Sequence, residues 1–298
     1  MYKKTVPYIF AILTSLIISG CQIFDRQEDI PAWLIIDSVS VVDNPLVNAG
    51  ALTEDIRDVW ITVDDIRLGT FEMPTRIPVL EEGMHEIVIS GGIIVSGISS
   101  LRTDYLYYED DTFEIDLEQG GNYILEPVFR YKTTELQQIE VIEDFEDGEN
   151  RMSATLPSDA KLERTSNPNL VKYGEGCGVM NFSDTTKIGT FRTNGKLILP
   201  QSGAAFLEMD ILTDYSLTVG LYVNSLSTQS NGLDMVTFKP TDKKWKKFYV
   251  ALDETLDEAY VLRNPESFYA YFRTEFGSST LPREGVVLID NVKVLFIK

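Results

Sequence analysis

The sequence is short of the residues on which most catalytic and metal sites depend. It has one histidine and two cysteines among 298 residues, and it contains no HExxH or GxSxG motif. These absences argue against a zinc peptidase and a serine hydrolase, and we predict that the protein is not an enzyme. A glycosidase built on two of its many carboxylates stays open, since that chemistry needs only a pair of carboxyl groups about 5–9.5 Å apart across a cleft.

Positive charge is also scarce. Lysine and arginine total 26 against 46 aspartates and glutamates, which gives a formal net charge of -20. Nucleic acid and anionic membrane surfaces attract proteins through basic patches, so nucleic acid is not an expected partner. The basic cluster Lys243–Lys247 is predicted to be an edge strand with a solvated face. Apolar residues, in contrast, make up 44% of the chain, enough to fill packed cores.

The N-terminus combines a basic start, a short apolar run and a cysteine. After "MYKK" come 13 mostly apolar residues, Val6 to Ile18, and then "ISGC". A run of this length is shorter than the roughly 20 residues of a spanning helix. The layout resembles the signal peptide of bacterial lipoproteins, which implies removal of residues 1–20 and lipidation of Cys21. An ordinary secretory peptide with a chance cysteine is the alternative.

Lipidation of Cys21 implies a membrane partner. Several acyl chains anchor a protein stably where one chain would not, and residues 21–31 are predicted to be a polar tether. By resemblance to the sorting rule of Gram-negative lipoproteins, Gln22 implies the outer membrane, on either its periplasmic or its surface face. With Cys21 blocked by lipid, Cys177 has no partner for an intramolecular disulfide. We predict that Cys177 is a small buried residue.

Residues 32–133 show the alternation that is typical of short β-strands. In "VWITV", the residues Val59, Ile61 and Val63 share one face, and two aspartates follow as a turn. No stretch of this segment has the periodicity of a helix. We therefore predict a small β-sandwich domain here.

Turn residues in the same segment predict two hairpins. One is expected to turn at Gly83, between "IPVL" and "MHEIVIS", and the other at Gly120-Gly121, after "TFEIDL". The stretch 63–92 resembles PEGA-type surface domains. This resemblance implies a sandwich without chemistry of its own and a structural role for His85.

The second half of the chain is again rich in strands. A polar stretch without alternation, Lys132 to Gln138, is the predicted domain boundary. Residues 139–298 then contain strands separated by Gly, Asn, Pro and Asp turns, and a length of about 160 residues suits a two-sheet jelly roll. We predict an all-β fold of two β-sandwich domains, the C-terminal one a jelly roll.

The last strand holds one acid in an apolar stripe. Strict alternation from Val286 onward places Asp290 on the same face as Val292 and Val294. A buried, ionised carboxylate without a partner is costly. Asp290 is therefore expected to have a bound cation, a hydrogen-bonding partner, or a β-bulge that turns it outward.

Three motifs carry a resemblance over the second half. They are "EDFEDG" near its start, Trp245 followed by "KKFYVAL", and "LIDNVKVL" at its end. In this order they resemble carbohydrate-binding modules of the galactose-binding-like jelly-roll type, a pattern that also recurs in uncharacterised lipoproteins of Bacteroidota. The resemblance implies glycan binding, and it implies that Glu146 and Asp290 share a structural calcium ion. Calcium takes 6 to 8 hard oxygen ligands, which suits such a pair.

Two predicted strands carry sugar-binding chemistry on one face. In "LTVGLYVNS" and "SFYAYFRTEF" the apolar residues alternate inward. We predict that the outward residues Tyr222, Tyr269, Tyr271 and Arg273 line a glycan groove. Flat rings can cover the CH surface of a sugar, while polar groups bond its hydroxyls. Ordinary cross-strand pairing on a solvated sheet is the alternative.

The sequence thus predicts a lipid-anchored, non-enzymatic outer-membrane protein whose jelly roll binds a glycan. The alternative is a structural or assembly lipoprotein of an envelope complex, in which both sandwiches act through protein–protein contacts. The fold alone does not decide between the two.

Overall fold

The computed structural model describes residues 29–225, 232–275 and 284–298, and β-strands dominate them. The strands of the first half are β1 (Ala32–Ile36), β2 (Ser40–Val41), β3 (Asp58–Val63), β4 (Ile66–Glu72), β5 (Thr75–Val79), β6 (Gly83–Ile94), β7 (Arg102–Asp104), β8 (Asp111–Leu117), β9 (Asn122–Ile124) and β10 (Val128–Phe129). Those of the second half are β11 (Gln137–Glu143), β12 (Met152–Ala154), β13 (Glu163–Thr165), β14 (Cys177–Phe182), β15 (Ile188–Thr193), β16 (Ala205–Thr213), β17 (Leu217–Asn224), β18 (Gly232–Phe238), β19 (Lys246–Ala251), β20 (Ser267–Glu275) and β21 (Gly285–Ile297). Helix α1 (Asp253–Arg263) precedes β20. Within these three ranges, no helix has the length and apolar character needed to cross a membrane.

The first ten strands form a small β-sandwich. One sheet has the strand order β4-β3-β6-β7, with β8 also paired to β6, and it packs on the sheet β5-β1-β9 and the pair β10-β2. The predicted alternation in β3 is confirmed, because Val59, Ile61 and Val63 are buried. Asp64 and Asp65 have positive φ angles of 45° and 65°. This backbone is the one that a two-residue turn between twisted strands requires.

Both hairpins predicted in this segment are wrong. Strand β5 pairs antiparallel with β1 instead of β6, and β9 pairs in parallel with β1 instead of β8. The turns at Gly83 and at Gly120-Gly121 therefore lie where the chain crosses from one sheet to the other. Alternation shows which face of a strand is buried, but it does not show which strand lies beside it.

The second half of the chain forms a larger, jelly-roll-like β-sandwich. Its first sheet, here called sheet I, has the order β13-β14-β21-β16-β19, with β11 also paired to β21. Its second sheet, sheet II, has the order β12-β15-β20-β17-β18. Side chains of both sheets fill one core, with Leu207 and Val292 from sheet I and Val219 and Phe272 from sheet II fully buried. The predicted all-β fold with two sandwiches is confirmed.

A β-bulge interrupts strand β21 at Asn291. The φ angle of Asn291 is 51°, and the register with β16 shifts between Glu208 and Asp210. Before the bulge Val287 and Ile289 face the sandwich core, whereas after it the core residues are Val292, Val294 and Phe296. The predicted strict alternation from Val286 is therefore wrong. Of the three alternatives given for Asp290, the β-bulge is present, although Asp290 remains buried at 1% exposure.

The first sandwich packs on the outer face of sheet I. Phe206, Tyr249 and Leu295 of that face belong to the same hydrophobic cluster as the core of the first sandwich. The ring centroids of Tyr105 and Phe206 are 5.4 Å apart in an edge-to-face arrangement. The part of the outer face of sheet I around Phe206, Tyr249 and Leu295 is thus an internal surface of the molecule.

Buried charges cross this internal surface. The carboxylate of Glu208, which is fully buried, accepts hydrogen bonds from Tyr105 Oη at 2.6 Å and Tyr131 Oη at 2.9 Å. It also pairs with Lys247 Nζ at 2.9 Å, while Lys293 Nζ donates to the backbone carbonyls of Ala49 and Ala51. Burial opposes ionisation of Glu208, but the two lysines outweigh it and hold its pKa below the usual value.

This arrangement corrects one expectation about the basic cluster Lys243–Lys247. Strand β19 does lie at the edge of sheet I, as predicted. However, Lys247 is buried instead of solvated, because the first sandwich covers the face on which its side chain lies.

Candidate functional site

The four residues predicted to line a groove share the outer face of sheet II. Strands β17 and β20 pair antiparallel, with Tyr222 opposite Tyr269, Gly220 opposite Tyr271 and Thr218 opposite Arg273. The alternate residues of both strands, such as Val219 and Phe272, face the core. Because successive side chains of a strand lie on opposite faces, the structure brings the four together.

Tyr271 supports this face from below and is not itself exposed. Its relative exposure is 1%, and its ring lies across two glycines of neighbouring strands. A Cβ atom would come within 2.6 Å of the ring at Gly220 and within 2.9 Å at Gly232. Only glycine leaves room for the ring at these two positions. The Tyr222 ring lies beside it, with the centroids 4.3 Å apart and the planes inclined by 30°.

Two hydrogen bonds to Asp234 of β18 fix Tyr271 and Arg273. The hydroxyl of Tyr271 donates to one carboxylate oxygen of Asp234, and Arg273 Nη2 donates to the other at 2.7 Å. Burial and the nearby carboxylate both raise the pKa of Tyr271 well above its usual value. Tyr271 therefore stays protonated and donates. Asp234 lies opposite Gly220 of β17, beside a register shift that breaks the alternation of β18, so the sequence pattern did not identify it.

Arg192 of β15 completes the face. The guanidinium carbon lies 4.1 Å from the centroid of the Tyr269 ring, at a distance typical of cation–π stacking. Arg192 and Tyr222, together with Thr155 and Leu156, line an open depression of about 390 Å³. Leu156 is 91% exposed, so an apolar side chain stands at the rim. The alternation of "IGTFRT" is the signal that could have identified Arg192.

The resulting surface can hold a ligand that has both apolar and polar edges. Tyr222 and Tyr269 are half-buried, so part of each ring remains accessible. Charged and hydroxyl groups surround the two rings. An apolar platform with a few fixed polar groups is the usual composition of a small-molecule or carbohydrate site.

The two residues predicted to hold calcium lie close enough for the charge of Glu146 to act on Asp290. Asp290 is 1% exposed, and its Oδ1 accepts the backbone N–H of Asn291 at 2.8 Å. Burial raises the pKa of Asp290 to about 8, and the negative charges of Asp210, Glu146 and Asp144 add to the rise. Oδ2 of Asp290 is buried and has no hydrogen-bond partner among the described residues.

An orphaned, buried carboxylate oxygen next to other acids fits a cation ligand. The carboxylate of Glu146 is less available as a calcium ligand, because it already accepts the backbone N–H of Glu175 at 2.9 Å. Across the described part of the chain, no group of three or more His, Cys, Asp or Glu residues has the arrangement of a metal site. Calcium binding by Glu146 and Asp290 therefore stays a prediction, one that the chemistry of Asp290 suits.

The other acids of "VIEDFEDGE" shape the backbone. Glu143 is buried and accepts the backbone N–H groups of Phe145 and Arg151. Asp147 is exposed and pairs with the Arg151 side chain. These contacts fix the turn between β11 and β12.

Three other residues singled out in the sequence have contacts within the fold. Cys177 is fully buried, as predicted, and burial raises the pKa of its thiol to about 12. His85 lies between the Asp64 carboxylate and the Glu82 carbonyl. Trp245 Nε1 donates to the Leu170 carbonyl at 3.0 Å.

The predictions for the N-terminus fall outside the residues that the structure describes. They concern the signal peptide 1–20, the lipidation of Cys21 and most of the tether 21–31. These remain predictions.

Comparison with known proteins gives similarities of fold only. No family model and no curated protein matches the sequence. Among solved structures, a xylan-binding module (CBM22-2) of Paenibacillus barcinonensis Xyn10C is 13% identical, with a TM-score of 0.37, over 52% of this chain and 98% of that one. The family 11 carbohydrate-binding module of Clostridium thermocellum Lic26A-Cel5E is 11% identical, with a TM-score of 0.36, over 53% and 94%. An adhesin domain of Lys-gingipain from Porphyromonas gingivalis is 14% identical, with a TM-score of 0.36, over 53% and 98%. This chain is thus similar, over about half its length, to carbohydrate-binding modules with a jelly-roll-like fold, and these similarities assign it no ligand.

Proposed function

We propose that the outer face of sheet II binds a glycan. The observation that carries this proposal is the layered arrangement of Tyr222 on Tyr271, held over Gly220 and Gly232 beside an open depression. A ring fixed in this way loses little side-chain freedom when a ligand covers it, and a fixed platform lowers the entropic cost of binding.

The chemistry of the face suits a sugar better than a purely apolar ligand. The Tyr222 ring can cover the CH groups of a pyranose, while Asp234, Arg273 and Arg192 offer acceptors and donors for hydroxyl groups at its edge. The depression is open to solvent, and an open groove admits a unit in the middle of a polymer.

The cellular setting is part of the proposal. The layout of the N-terminus supports a protein processed at residue 20 and held at the outer membrane by lipids on Cys21. We propose that it is a non-catalytic binding protein there. Calcium, held by Glu146 and Asp290, would supply positive charge to the orphaned oxygen of Asp290 and tie the start of the second sandwich to its last strand.

A glycan panel with matched variants tests this proposal. Residues 21–298 with Cys21→Ser are screened against xylan, mixed-linked β-glucan, mannan, galactan and host-type glycans, and the affinity for each ligand found is measured by calorimetry. Tyr222→Ala is expected to weaken binding by about tenfold or more, equal to about 1.4 kcal/mol. Tyr173→Ala, another half-buried tyrosine of the second half, is the control and should bind normally. A folded protein that binds no glycan would contradict the proposal and favour the envelope scaffold.

A further inference from the structure

Of the two arginines at the proposed site, Arg273 has a carboxylate partner and Arg192 has none among the described residues. Arg273 pairs with the carboxylate of Asp234 at 2.7 Å. The guanidinium of Arg192, in contrast, forms no side-chain hydrogen bond and no ion pair with any residue in the ranges 29–225, 232–275 and 284–298, and its one described contact is the Tyr269 ring.

The stacking on Tyr269 orients the free edge of this guanidinium. A guanidinium that lies over a ring uses its flat face, so the N–H groups at its edge stay available in their fixed fork. That fork matches the two oxygens of a carboxylate. The stacked ring also limits the rotamers of Arg192, so less freedom is lost when a ligand pairs with it.

The position of Arg192 places this edge at the ligand surface. Arg192 and Tyr222 line the same open depression. Arg192 lies opposite Tyr271 in the sheet, and Tyr271 in turn stacks with Tyr222. A sugar ring covering Tyr222 would therefore have its substituents within reach of Arg192.

We propose that the glycan bound at this site is acidic, and that a uronic acid carboxylate pairs with Arg192 while a sugar ring covers Tyr222. This inference rests on the proposed function and narrows its ligand class. The net charge of -20 repels polyanions in general. Because repulsion between exposed charges is screened beyond about 8–10 Å at physiological salt, the local pairing decides the affinity.

The test compares acidic polymers with their own neutral forms. Glucuronoxylan and polygalacturonate, each intact and after reduction of its carboxyl groups to alcohols, are titrated into the chain of residues 21–298 with Cys21→Ser. We expect one intact polymer to bind about tenfold more tightly than its reduced form, and this preference to shrink between low and high salt.

Variants test whether Arg192 causes the preference for intact over reduced polymer. Arg192→Gln should remove the discrimination between intact and reduced polymer, whereas Arg192→Lys should keep part of it, because lysine retains the charge without the fork. Lys196→Gln, which removes one exposed charge near the same strand, is the matched control and should behave as the parent chain.

Glycan binding and the acidic nature of the glycan can be refuted separately. Equal binding of intact and reduced polymers, binding of neutral glycans alone, or a preference that survives in Arg192→Gln overturns the acidic ligand and leaves glycan binding in place. No binding of any glycan by the folded chain overturns both.

Discussion

Replacing Asp290 by asparagine should stabilise the metal-free protein. Asp290 is buried, its Oδ2 has no partner in the described part of the chain, and burial together with the charges of Asp210, Glu146 and Asp144 raises its pKa to about 8. In the unfolded chain a normal aspartate ionises near pH 3.9. Between these two values the folded state holds a proton that the unfolded state releases, so the stability of the parent protein falls as the pH rises through this window.

The size of the effect follows from the same two values. Each pH unit between the unfolded pKa near 3.9 and the working pH costs about 1.36 kcal/mol of folding stability, as long as the pH stays below the folded pKa. At pH 7 this interval is about 3 units, so Asp290 lowers the free energy of unfolding by on the order of 4 kcal/mol. Asparagine avoids this cost, since it has the shape of the protonated acid and keeps an oxygen for the backbone N–H of Asn291. The advantage of Asp290→Asn should grow from pH 5 to pH 8.

Urea unfolding of residues 21–298 in chelator, at pH 5 and at pH 8, measures this difference. Asp184→Asn, at an exposed position, is the control and should leave the stability and its pH dependence unchanged. An Asp290→Asn variant that is no more stable than the parent in chelator at pH 8 would refute the reasoning. With calcium added, the parent protein should become more stable than Asp290→Asn, because a bound ion stabilises only the chain that keeps its ligand.

Three further predictions concern other parts of the molecule. Glu208→Gln should lower the free energy of unfolding by about 3–5 kcal/mol in calorimetry, because it removes the buried carboxylate that pairs with Lys247 at 2.9 Å. The additional change Lys247→Met should recover part of this loss, and a double variant whose effects simply add would contradict the pairing. Gly220→Ala should weaken both stability and glycan affinity, since its Cβ would meet the Leu233 carbonyl oxygen and come within 2.6 Å of the Tyr271 ring. Unchanged glycan binding would show that the stack of Tyr222 on Tyr271 is dispensable. Cys21→Ser in the full chain should move the protein from the membrane fraction to the soluble one, and continued retention in the membrane fraction would exclude lipidation as the anchor.

Much of the candidate site follows from the period of two along a strand. The alternation in β17 and β20 correctly places Tyr222, Tyr269, Tyr271 and Arg273 on one face, because the opposite residues are apolar and fill the core. It does not show that Tyr271 is buried. That depends on Gly220 and Gly232 of neighbouring strands, whose missing side chains leave room for the ring.

Contacts between distant parts of the chain account for what the sequence did not predict. Strand β5 pairs with β1, and no local signal names that partner. Glu208 and Lys247 look like surface residues of alternating strands, yet the first sandwich covers them. Asn291 shifts the alternation of β21 by one residue, so each half of that strand has its own inward set.

Chemical-shift mapping of a bound glycan tests the central claim most directly. The ligand found in the panel is titrated into isotope-labelled residues 21–298 with Cys21→Ser, and backbone amide shifts are followed. We expect the largest changes at Tyr222, Tyr269 and Arg192 and in the strands that carry them, with none at the buried face between the sandwiches. Changes confined to the first sandwich or to the edge of sheet I would contradict the assignment of the binding face.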